Sequence, residues 1–241
     1  GSFEHETRVS AVGLQGLQRT GRVAWRYGGQ LSQDELVRST DLTNGYFTDR
    51  TYTTLTVVPS FDTDLANGSV LTWRAGLTVD HSNRDDTEVS PLIGLSLDRS
   101  DAAGSTLWAL EYAATSQLPG YTALNSNPTG LFGGNPLLGR EIAKQLSASV
   151  VRERAAWQLR ATLFARRDDN LVDWTYASDT PFTRQANPVD LEVRGFEALA
   201  DHGAMLFGTR NPAARLGESL RLLAEAAERL PWFGRLRLLY G

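Results

Sequence analysis

The 241-residue sequence has no cysteine, one methionine and three histidines, and it never runs for the roughly 18 uncharged apolar residues that a membrane-crossing helix requires. Without cysteine there is no disulfide framework, thiolate metal site or cysteine nucleophile. His5, His81 and His202 stand far apart, at no metal-ligand or triad spacing. Gly130, Gly133 and Gly134 lack the Gly-Lys-Ser/Thr of a phosphate-binding loop and read as turn geometry. The net charge is -4 and the 24 basic residues are spread along the chain, so the basic stripe of a nucleic-acid footprint is missing. The opening, Gly1 to Glu6, is no basic-then-apolar leader and carries no Met, so it reads as an internal piece of something longer. A membrane, if crossed, must therefore be crossed by strands.

What is present is a period of two. Leu71, Trp73, Ala75, Leu77 and Val79 share one face, with Thr72, Arg74, Gly76, Thr78 and Asp80 on the other, and this alternation is a strand signature. It recurs at Val23-Trp25-Tyr27, Leu55-Val57-Pro59-Phe61, Ile93-Leu95-Leu97, Trp108-Leu110-Tyr112 and Trp157-Leu159-Ala161-Leu163. Val189-Leu191-Val193, set against Asp190, Glu192 and Arg194, closes the series. With weaker strands near 3–13 and 141–151, the expectation is about nine strands of about ten residues. Short connectors are expected near 14–19, 63–69, 99–105, 152–156 and 198–203, and long ones near 31–49, 81–88, 118–140 and 175–187. Short turns at one end and long loops at the other suit an up-and-down transmembrane barrel, whose apolar residues face lipid and whose polar residues line a wet interior. A mean hydropathy of -0.29 fits that split. Alternation alone equally fits a soluble antiparallel sheet with an ordinary core.

Specific residues favour the barrel. Leu118-Pro119-Gly120-Tyr121 with Leu124, then Gly134-Asn135-Pro136-Leu137-Leu138-Gly139-Arg140-Glu141, resemble the distal barrel of TonB-dependent outer-membrane receptors, with Arg140 where the family usually has Pro. Phe164 followed by Asn170-Leu171-Val172-Asp173-Trp174, then Asn187 and Gly195-Phe196-Glu197, continue the resemblance in order. It implies an all-β fold, a partial antiparallel transmembrane barrel over residues 1–202, and location in the outer membrane among its lipids. It also implies a role in taking up a scarce ligand such as a siderophore, cobalamin or a glycan, with TonB engaged only through a plug and N-terminal region that this chain lacks. A soluble or surface-attached β-rich binding module and a passive porin-like channel are the alternatives.

After His202 the pattern changes. Asn211-Pro212 suits a helix start, and Leu216, Leu220, Leu223, Ala227 and Leu230 follow at helical spacing. Residues 203–241 are therefore expected to be a helical tail outside the barrel, either covering an open sheet edge or serving as a surface or partner-binding helix. No nucleophile, base and orienting group come together, so no enzyme, cofactor or metal site is expected. His81 with Asp85 and Asp86, and the pair Asp168-Asp169, read as solvated loop and strand-top charge. The candidate ligand contacts are the loop aromatics Tyr121, Phe132, Trp174, Tyr176 and Phe182, which can stack on a chelate or sugar ring. Packing within the loops, or an interfacial aromatic girdle, is the competing reading of the same residues.

Overall fold

The computed structural model describes residues 4–42, 48–127, 129–154, 157–176 and 183–202. They form one sheet. In chain order its strands are β1 (His5–Thr20), β2 (Val23–Ser39), β3 (Asp49–Asp64), β4 (Val70–Ser82), β5 (Glu88–Asp101) and β6 (Gly104–Gln117). A short helix α1 (Tyr121–Asn125) and a two-residue strand β7 (Phe132–Gly133) follow, then β8 (Glu141–Arg154), β9 (Trp157–Tyr176) and β10 (Arg184–His202). The order β1-β2-β3-β4-β5-β6-β8-β9-β10-β7 is an antiparallel meander. Its one parallel contact among the described residues is the two-residue pairing of β7 with β10. Among the described residues β1 has β2 as its single neighbour, and β10 has no partner beyond the two residues of β7 on its far side.

Nine long strands agree with the sequence, but they run 13 to 20 residues, longer than the ten expected. Strands extend into the expected connectors, as two places show. Residues 14–19 continue β1, and the turn falls at Gly21-Arg22, where Thr20 pairs with Val23 and Gly21 takes a φ of 61°. That positive φ suits glycine at the first position of a two-residue hairpin turn. Gly16, which reads as a turn residue in sequence, sits inside β1 because a Cβ there would lie 2.5 Å from the Tyr27 ring. Likewise β2 runs on to Ser39 through much of the expected 31–49 loop. The expected helical tail, and the boundary at 202/203, lie outside the described residues.

Cross-strand register sorts the side chains, since directly paired residues share a face. One row runs Val23, Phe61, Trp73, Leu95, Leu110, Ala148, Leu163 and Phe196 across eight strands. One pleat away on the opposite face runs Ser60, Arg74, Gly94, Glu111, Ser147, Phe164 and Gly195. There Arg74 pairs with Glu111 at 3.1 Å. The apolar face stands bare: Trp25, Trp73, Leu77, Leu159 and Leu163 are all exposed, and Leu71 is half-buried. Those six face as the sequence implies, as do Arg26, Arg74 and Arg160 on the polar face.

Other residues depart from the alternation. Arg22, which precedes Val23 and would share a face with Arg26, lies in the turn instead. Glu192 pairs with Arg167, and Arg194 with Ala165, in phase with Phe196 and Leu163, so both sit on the apolar side while Leu191 and Val193 sit on the polar side. The physical reason is height. Residues 189–194 lie toward the loop end of β10, where both faces are wet and alternation says little; Phe196, Ala198 and Ala200, lower down, keep the phase.

Candidate functional site

The long connectors crowd one end of the sheet, and the longest, residues 118–140, folds back onto the polar face. Two prolines shape the wall beneath it. The β3–β4 ladder omits Val58 and Pro59, and the β5–β6 ladder stops at Leu92↔Ala113, the residue next to Pro91. A proline has no N–H to give a ladder. Above that point β5 stays with β4 and β6 with β8, which leaves a gap.

Three arginines close it and hold the loop. Arg50, buried on β3, donates through Nε and Nη2 to both carboxylate oxygens of Asp34 on β2, at 2.9 and 2.7 Å. Its Nη1 donates to the Pro119 carbonyl at 2.6 Å, and its guanidinium lies 4.0 Å from the centre of the Tyr121 ring. The hydroxyls of Tyr121 and Tyr52 complete the shell of Asp34, at 2.7 and 3.1 Å. Arg84, in the β4–β5 turn, donates to the carbonyls of Pro136 and Leu138 at 3.1 and 2.7 Å. Arg140 spans the gap itself, from Ser116 Oγ on β6 to the Asp86 carbonyl. Charged donors on carbonyl oxygens make strong bonds, so the loop is fixed at its start, near its end and across the gap.

The electrostatics follow from that packing. Burial alone pushes the Asp34 carboxyl up, but the hydrogen bonds from Arg50 and Tyr121, the Arg50 charge and the Tyr52 hydroxyl outweigh it and hold it below its ordinary value. Burial raises the Tyr52 phenol to about 12, against the pull of the Arg50 charge. The Tyr121 phenol rises too, through burial and its bond to Asp34.

Between loop and wall lies a cleft of about 320 Å³, lined by residues that include Gln30, Ser32, Tyr52, Thr54, Gln117 and Arg140. Its lining combines neutral hydrogen-bonding groups with one guanidinium, the Asp80 carboxylate and His81. Asp80 accepts from the Thr54 and Ser116 hydroxyls.

The five sequence-predicted aromatics divide. Tyr121 is buried and anchors the loop. Phe132 and Trp174 meet edge to face at 5.5 Å, and Arg184 lies over the rings of Tyr176 and Phe132 at 4.8 and 5.9 Å while donating to the Tyr176 hydroxyl at 2.9 Å. These three form one patch, with Phe132 and Tyr176 exposed. Phe182 lies outside the described residues. His81 is bonded to Thr87 Oγ1 at 2.9 Å, Asp168 is paired with Arg166, and Asp169 is paired with both Lys144 and Arg167. Among the described residues no three His, Asp or Glu side chains gather as metal ligands.

Sequence reasoning missed Asp34, Arg50, Arg84 and Arg184. Their partners are far off in the chain, 16 to 69 residues away for Arg50, and no local spacing reveals them. Arg140 alone left a signal, as the residue that replaces a usual proline.

The sequence matches the family of TonB dependent receptor-like β-barrels over residues 2–232, a span that includes most of the stretch beyond 202. No curated protein is significantly similar to it. Among solved structures the fold resembles the siderophore receptor PirA from Pseudomonas aeruginosa, with a TM-score of 0.59 and 16% identity over 80% of this chain and 38% of that one. It also resembles the copper transporter OprC, with a TM-score of 0.57 and 15% identity over 83% of this chain and 36% of that one. The chain thus spans little more than a third of the length of either, and at such identities the likeness is one of fold.

Proposed function

The chain belongs to the TonB-dependent receptor-like β-barrel family, and from that premise we propose that it is a section of the barrel wall of an outer-membrane receptor that imports a scarce ligand with energy supplied through TonB. The observation that carries the membrane part is the apolar face. Trp25, Trp73, Trp108 and Trp157 lie on it, each within five residues of the short-turn end of its strand, and all four are 41 to 52% exposed. Tryptophan collects at membrane–water interfaces, where its apolar ring and polar N–H are both satisfied. From the Trp157 row to the Ala165 row is eight residues, so at about 3.3 Å per residue and a tilt of about 40° the band is about 20 Å tall, near the ~25 Å of an outer-membrane barrel.

The ligand end is the wet mouth. Phe132, Trp174 and Tyr176 around Arg184 offer ring faces beside a fixed positive charge, which suits an aromatic or anionic chelate such as a siderophore; cobalamin and glycans remain the other ligand classes. The same barrel section without coupling to TonB is a passive channel.

Reconstitution in vesicles with brominated acyl chains tests the membrane reading. Fluorescence from Trp25, Trp73, Trp108 and Trp157 should be strongly quenched; a chain recovered folded from detergent-free buffer, with no quenching, overturns it. Titration with a ferric siderophore should quench Trp174, and Trp174→Phe should abolish that change.

A further inference from the structure

We propose that residues 118–140 are a permanent tie across the mouth, which sets the curvature of the wall and does not move as a cover. The geometry comes from what one loop touches. Its Tyr121 hydroxyl bonds Asp34 on β2. Three residues on, Leu124 belongs with Ala123, Leu138 and Ala186 of β10 to one buried cluster, packed against Val172 and Trp174 of β9. From β2 to β10 is seven strand spacings in the sheet order, an arc of roughly 34 Å at about 4.8 Å each. Tyr121 and Leu124 are one helical turn apart, about 5 Å, and two extended side chains with their partners bring the reach to on the order of 25 Å. The chord is shorter than the arc, so the sheet is bent around the tie, with its polar face inside.

Every part of the loop that crosses this chord is fastened. The Ser126 and Asn135 amides donate to the Thr122 and Ala123 carbonyls, at 3.3 and 2.7 Å, and the Arg184 amide donates to the Leu131 carbonyl at 2.8 Å. β7 adds its two-residue pairing to β10. Leu124 is 2% and Ser126 8% exposed, burial that a moving lid does not keep. Cation-to-carbonyl bonds at both ends, buried at Arg50 and half-buried at Arg84, together with an apolar cluster between them, put this loop at the stable end of local opening free energies. Entry of a ligand must then be governed by other loops, and the cleft beneath the tie keeps one shape with or without a ligand.

The absence of cysteine makes the test direct. Ser126→Cys and Leu137→Cys, the latter at a position 89% exposed, are made separately in the full chain, and their rates of maleimide labelling are measured in detergent. The folded chain should label at 137 at least roughly a hundredfold faster than at 126, and urea should equalise the two. Adding Arg50→Met and Arg84→Met should raise labelling at 126 by roughly tenfold or more while leaving 137 unchanged. Equal labelling at 126 and 137 in the folded, otherwise unaltered chain overturns the proposal, and this comparison decides the matter even if the arginine variants fail to fold. The measurement needs neither ligand nor TonB, so its failure leaves the receptor reading standing.

Discussion

Placing a charge on either face of one strand separates a lipid-facing surface from a wet one. Val150 and Ser149 are neighbours on the central strand β8. Val150 pairs with Ala161 and Trp108, in the apolar face; Ser149 pairs with Thr162 and Ala109, in the polar face, and Thr162 pairs in turn with Glu197. Val150 lies beside Trp108 and four residues from the Trp157 row, about 13 Å along the strand and, allowing for the stagger of tilted neighbours, about 7 Å in height, inside the apolar band on the short-turn side of its middle. An arginine there meets hydrocarbon, at a cost of about 1–3 kcal/mol. An arginine at 149 points to the polar face, where Glu197 is two strands away, and its cost is under about 1 kcal/mol. The assay is urea-dependent refolding of Val150→Arg and Ser149→Arg into vesicles, read by the mobility difference between folded and unfolded chain. Folded-to-unfolded ratios of the two variants should differ by roughly tenfold or more, because about 1.4 kcal/mol is one decade. Equal costs, or a larger one at 149, would refute the assignment of faces.

Arg50→Met leaves the Asp34 carboxylate buried without its cation and the Pro119 carbonyl unpaired, so it should cost about 3–5 kcal/mol in refolding experiments. Because the Asp34 carboxyl is held below its ordinary value of 3.8, its contribution is complete above that pH and is lost as pH falls through the lower folded-state value. Heat stability should therefore hold steady down to about pH 4 and decline below it, with Asp34→Asn lessening that decline. Gly195→Ala sets a Cβ 2.5 Å from the Phe164 ring and should cost about 1–3 kcal/mol; Phe164→Leu in the same chain should recover most of it.

The strands were legible because a sheet with one apolar and one polar face must alternate, and β9 does so from Trp157 to Leu163, although Arg152 of β8 stands beside Leu159 on the apolar face and Leu199 of β10 beside Arg160 on the polar one. Legibility ended where both faces are wet. Residues 189–194 alternate in the wrong phase, and 31–39 read as loop although they continue β2. Glycine misled for a different reason: at position 16 it makes room for Tyr27, a cause that lies on another strand. The family motifs fixed the identity of the loop, yet its fastening to the wall by Arg50, Arg84 and Asp34 depends on distant pairs that no single stretch of sequence displays. Among the chosen aromatics that the structure describes, Tyr121 belongs to that fastening, and Phe132, Trp174 and Tyr176 share a patch.

The parting of β5 and β6 above Leu92 and Ala113 makes the wall unequal in strength along its rim. Apart from the short break at Val58 and Pro59, the described neighbouring strands are sewn by main-chain bonds that no substitution of a side chain removes. Here Ser116 and Asp80, Arg140 and the Asp86 carbonyl do the sewing, so this one stretch is a seam whose tightness is written in side chains. Natural variation at position 140 can therefore loosen or tighten the rim without disturbing a single strand.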